Sequence, residues 1–141
     1  MNKSGPIIII DDDKDDQKIL TDIFNDLKIK NSLLFFNDGF EAIEYLNANE
    51  TNPFLIFSDV NMPKISGFEL RAEIQNTQKL KNKNIPFLVF TTAASSKTVD
   101  DAYTMPVQGF FIKPSSYKEL ETVIKSIVEY WQICIASNEY H

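Results

Sequence analysis

IIIIDDD, residues 7–13, is an apolar run of strand length that gives way at once to three consecutive acids. Four isoleucines in a row have no apolar-polar alternation, as expected of a strand buried on both faces of a parallel sheet. Similar short runs recur at Leu33–Phe36, Phe54–Phe57, Phe87–Phe90 and Phe110–Ile112. Amphipathic stretches separate them. Lys14 to about Lys28 sets Ile19, Leu20, Ile23, Phe24 and Leu27 on one helical face behind an acidic first turn. Gly39 to Leu46 does so with Phe40, Ile43 and Leu46, and Phe68 to about Leu80 with Leu70 and Ile74. Lys97 to Tyr103 has weaker periodicity, with Ser95 or Ser96 available as cap. From Ser116, the spacing of Leu120, Val123, Ile124, Ile127, Val128 and Trp131 predicts a closing helix. Five strands alternating with five helices predict an α/β fold, a doubly wound parallel sheet of five strands covered on both faces.

Composition narrows the function. The 141 residues suit a single domain over 1–141, with a short polar C-terminal tail at about 137–141. Hydrophobic residues make up 43% of the chain, which excludes a disordered or low-complexity protein. The net charge of −6 repels phosphate backbones and anionic lipid, so no nucleic acid and no membrane partner is expected. One cysteine, Cys134, and one histidine, His141, offer neither an internal disulfide nor a zinc cluster. With no secretory leader pattern and no long apolar run, a cytoplasmic location is the expectation.

In open α/β sheets, ligands sit outside the carboxyl ends of the strands. There the sequence places Asp11, Asp12 and Asp13 after the first run, Asp59 after the third, Thr91 and Thr92 after the fourth, and Lys113 after the fifth. Each has a plain alternative when taken singly. DDDKDD begins a solvated helix, Asp59 precedes a turn, Lys113 is a surface lysine, the threonines end a strand and Phe110 is a core aromatic. In combination they describe a pocket. Carboxylates converging from two strands repel unless a cation lies among them, and hard oxygen donors suit Mg²⁺. A lysine and a threonine hydroxyl beside them would hold phosphoryl oxygens, and Asp59 is the best nucleophile for forming an aspartyl phosphate.

With these residues the chain resembles the receiver domain of two-component response regulators. The matching blocks are IIIIDDD at Ile7–Asp13, FSDVNMPKISG at Phe57–Gly67, VFTTA at Val89–Ala93 and GFFIKP at Gly109–Pro114, in the family's order and spacing. The resemblance implies a flavodoxin-like sheet of order 2-1-3-4-5. It also implies that Asp59 accepts the phosphoryl group, and that Asp11, Asp12, Asp59 and the Asn61 carbonyl serve Mg²⁺, with Asp12 the direct ligand. Thr91 would bond the phosphoryl group, Lys113 would pair with it, and Phe110 would be the aromatic that changes rotamer. A cis Lys113–Pro114 peptide is implied as well. Two features depart from the common pattern: Asp15 and Asp16 make the rim unusually negative, and Phe110 lacks a tyrosine hydroxyl.

The function so implied is a phosphorylation-controlled switch rather than an enzyme of metabolism. It would be charged by a histidine kinase or histidine phosphotransfer protein and would act on a downstream protein target or a second copy of itself. Two competitors differ in class. A Mg²⁺-dependent phosphohydrolase with an aspartyl nucleophile needs a second Asp two residues on as acid/base, and Asn61 stands there. A pseudo-receiver binding module would not need Asp12, Asp59, Thr91 and Lys113 together.

Overall fold

The computed structural model describes residues 1–48, 50–92 and 94–136. The tail expected at residues 137–141 lies outside them. Among the described residues are five strands: β1 (Ile7–Ile10), β2 (Leu33–Phe36), β3 (Leu55–Asp59), β4 (Phe87–Thr91) and β5 (Gly109–Ile112). Six helices connect and follow them: α1 (Lys14–Asp26), α2 (Gly39–Ala48), α3 (Gly67–Asn76), α4 (Gln78–Lys81), α5 (Ser96–Thr104) and α6 (Tyr117–Ile133). All pairings are parallel and the order is β2-β1-β3-β4-β5.

Alternation of side chains across each strand divides the core in two. Ile7 and Ile9 of β1, Leu55 and Phe57 of β3, and Leu88 and Phe90 of β4 pack with Leu20, Ile23 and Phe24 of α1 and with Leu120, Ile124, Ile127 and Val128 of α6. Ile8, Ile10, Ile56, Phe87 and Val89 face the opposite way, onto Ala42 and Leu46 of α2, Leu70 and Ile74 of α3, and Leu80 of α4. The unbroken apolar runs therefore feed both layers.

Two expectations need correction. β2 and β5 are sheet edges and only partly buried, unlike β1, β3 and β4. A run of apolar residues does not reveal how many neighbouring strands it has. The single helix predicted from Phe68 to about Leu80 is two helices, which makes six rather than five. Thr77 between them is extended, with φ −104° and ψ 107°, and its hydroxyl donates to the Glu73 carbonyl at 3.0 Å. A β-branched residue that bonds back to the previous turn favours leaving the helix at that point.

The turn out of β3 fixes the approach of the chain to Asp59. Gly67 donates its N–H to the Val60 carbonyl at 2.9 Å, and a Cβ built on Gly67 would stand 2.3 Å from the Asp59 carbonyl oxygen. Only glycine fits so close to another backbone. Ser66 and Glu69 then start α3 with a reciprocal capping box. Gly67→Ala should cost at least about 1–3 kcal/mol through overpacking. Urea unfolding checks this, with a lowered midpoint expected.

Candidate functional site

Because every strand is parallel, β1, β3 and β5 deliver their carboxyl ends to one edge. Lys113, just past β5, extends Nζ to Asp11 Oδ2 at 2.8 Å, Asp16 Oδ2 at 3.1 Å and Asp59 Oδ2 at 3.5 Å. The Lys113 side chain is only 13% exposed, and those of Asp11 and Asp59 are 3% and 16% exposed. Its backbone N–H donates to the Thr91 carbonyl at 2.7 Å, which ties the end of β4 to the residue after β5.

The three consecutive acids divide into separate tasks. Asp11 is buried, with Oδ1 accepting the Asp13 N–H at 2.9 Å and its carbonyl accepting from the Gln17 amide at 2.7 Å. Asp12 is exposed. Asp13 caps α1 by accepting the N–H groups of Asp15 and Asp16. On β3, Asp59 Oδ1 accepts the Val60 N–H at 2.8 Å, leaving Oδ2 as the oxygen that faces Lys113. Nearby, Asp38 accepts the Glu41 N–H at 3.0 Å and Lys64 Nζ at 3.1 Å, which links the loops before α2 and after β3. The Glu41 N–H, helped by Lys64, holds the Asp38 carboxyl below the usual carboxylate range.

Burial pushes the Asp11 carboxyl up, and the hydrogen bond from Lys113 only partly offsets it. For Lys113, burial is the largest influence and works against its charge. The bond to Asp11 and the charges of Asp59 and Asp11 outweigh it, so the ammonium loses its proton only above the ordinary lysine range.

A cavity of about 450 Å³ opens at this edge between the sheet, α1 and α6, and Asp11, Asp16, Asp59, Thr92 and Lys113 are among its lining residues. Thr91 is fully buried at the end of β4, whereas Thr92 is exposed. Asn61 is exposed in the loop after β3, and Phe110 is half-buried on β5, its ring stacked on Phe68 at 6.4 Å. The implied cis peptide at Lys113–Pro114 is not found: the bond is trans, the isomer favoured for X–Pro by about 0.5–1 kcal/mol. Sequence reasoning did not anticipate the contact of Asp16 with Lys113. The available signal was its position three residues after the cap Asp13, in the first turn of α1, beside the strand edge.

The donor chemistry fits a hard cation. Three carboxylates share one ammonium, which leaves negative charge uncompensated. Among the described residues no three acidic, histidine or cysteine side chains are grouped closely enough to hold a metal by themselves. Mg²⁺ commonly takes one or two carboxylates and keeps several waters, which this arrangement permits.

Comparison with known proteins decides the family. The model of the response regulator receiver domain matches residues 7–125. The chain belongs to this family. It is 29% identical over 135 residues to the response regulator Rcp1 of Synechocystis, covering 92% of this chain and 90% of that one. The phosphorylated cyanobacterial phytochrome response regulator RcpA superposes with a TM-score of 0.82 at 28% identity, over 93% of this chain and 96% of that one. The Mn²⁺-bound form of Rcp1 superposes at 0.75 and 28% identity, over 92% and 96%. This receiver domain is a phosphorylation-dependent signalling switch, and the relatives it matches are signalling response regulators. Receiver domains bind Mg²⁺ and interact with histidine kinases and downstream targets. Among the described residues no helix is long and apolar enough to cross a membrane.

The raised Lys113 value predicts a pH dependence. Its stabilising contribution is complete below the ordinary value of 10.5 and is lost as pH climbs through the higher folded value. The stability difference between the native chain and Lys113→Met should thus stay flat from pH 7 to about 10 and shrink above. Urea unfolding of both chains across this range measures it.

Proposed function

We propose that Asp59 is the phosphoacceptor of this switch and that Lys113, with Asp11 and Asp12, forms its reaction site. The observation that carries the reading is the single ammonium of Lys113 shared by Asp11 and Asp59 from two different strands. Asp59 Oδ2 attacks the phosphorus of a phosphohistidine on a histidine kinase or phosphotransfer protein. The O–P bond forms as the N–P bond breaks, and the imidazole leaves with the bonding electron pair. The Val60 N–H holds Oδ1 and so orients the carboxylate for attack. Lys113 moves from carboxylate to phosphoryl oxygen as negative charge arrives there. Asp11, Asp12, Asp59 and the Asn61 carbonyl would hold Mg²⁺, which when bound supplies further positive charge against the phosphoryl oxygens.

Readout follows from the neighbours of Lys113. Its N–H is bonded to the Thr91 carbonyl, and Phe110 lies three residues earlier, on β5. Recruitment of Thr91 toward the phosphoryl group, with a rotamer change of Phe110 against Phe68, would reshape the surface of α5 and β5. Among the described residues of α5, Ala102 alone is buried, so little core packing resists its movement. That surface would meet a downstream protein or a second copy in the cytoplasm. The chain would thereby assist both its own phosphorylation and its dephosphorylation.

Intact-protein mass after incubation with Mg²⁺ and an acyl phosphate tests the assignment. One phosphoryl group should be gained, with complete loss in Asp59→Asn and after chelation. A label that persists in Asp59→Asn defeats it. Phe110→Ala should still take up the phosphoryl group but lose the accompanying ¹H–¹⁵N shift changes over Ser96–Thr104.

A further inference from the structure

We infer that Asp16 is a positioning residue that competes with the incoming phosphoryl group for Lys113 and thereby slows phosphoryl transfer to Asp59. The inference rests on Asp59 being the acceptor and adds a regulator to that site.

The geometry gives the order of competition. An ammonium has three hydrogens to donate, and Lys113 has three carboxylate neighbours. Asp11 at 2.8 Å and Asp16 at 3.1 Å fall within the ordinary N–H···O range, whereas Asp59 at 3.5 Å lies beyond it. The acceptor is therefore the weakest held of the three. Asp11 is fixed by burial and by its Asp13 and Gln17 contacts, so it is a permanent partner. Asp16 is different. Its backbone is set by the Asp13 cap, but its side chain is 32% exposed, so water can replace Lys113 at its carboxylate when the lysine turns to a phosphoryl oxygen.

Asp16 slows the reaction in two ways. It occupies a hydrogen of Lys113 that the phosphoryl group needs, and it adds a negative charge close to where the phosphoryl oxygens must sit. For charges several ångströms apart near a protein surface, neutralising one should change the rate on the order of tenfold. The neighbouring Asp15 is exposed, and its side chain is not among the carboxylates that meet Lys113. Asp15→Asn removes the same formal charge one residue away and separates a contact from a diffuse field.

Initial rates of phosphoryl uptake, read by intact-protein mass with the full chain, Mg²⁺ and acetyl phosphate, make the test. Asp16→Asn should be faster by about tenfold, while Asp16→Glu and Asp15→Asn should stay near the native rate. An Asp16→Asn rate at or below the native one overturns the inference, as does equal acceleration by Asp15→Asn. If the native chain gains no phosphoryl group, the acceptor assignment falls and this inference with it. A native chain that is labelled at Asp59, with all three variants at its rate, removes this inference alone.

Discussion

The ammonium of Lys113 among carboxylates from three elements is the contact on which the rest of the site depends. Asp11 is buried at the end of β1, and Asp59 is the last residue of β3, the adjacent strand. Without a cation between them their ionised forms would repel in a setting where burial already disfavours charge. Lys113 reaches them only because β4 lies between β3 and β5 and sets β5 in register, Thr91 opposite Ile112. The parallel order of the sheet is thus an electrostatic requirement of the site as well as a packing solution.

That frame is rigid where the chemistry is placed and looser where a signal would leave. β1, β3 and β4 are covered on both faces, and the helices α1 and α6 share one apolar layer while α2, α3 and α4 share the other. The turn after Asp59 is tightened by Gly67, where no side chain fits. In contrast, α5 has one buried residue and leaves Tyr103 86% exposed. Local opening is cheapest where few apolar contacts must be broken. This soft element follows on the end of β4, where the Thr91 carbonyl accepts the Lys113 N–H.

Three identical acids in succession illustrate how position in the fold sets chemistry. Asp11 is the buried residue directly after β1, and its carboxyl is pushed up by desolvation. Asp12 meets solvent, and Asp13 satisfies the first N–H groups of α1. The helix-start reading of DDDKDD was thus right for Asp13 and incomplete for Asp11. Asp16 belongs to the same acidic run, and its charge falls on Lys113 because it sits in the turn that Asp13 caps.

The sequence by itself determined the number of strands and their places along the chain, the helices on both faces of the sheet and the set of residues at the strand ends. Those features depend on local apolar runs and on the side-chain period of helix and strand, both written in consecutive residues. Its four motif blocks also named the family that the comparison established. The tertiary structure alone decided which acids meet Lys113, that Thr92 rather than Thr91 is exposed at the cleft, that Thr77 divides a helix, and that β2 and β5 are edges. Each of these depends on distances between residues far apart in the chain. Lys113 and Asp11 are separated by 102 positions and by 2.8 Å, and only the folded sheet relates those two numbers.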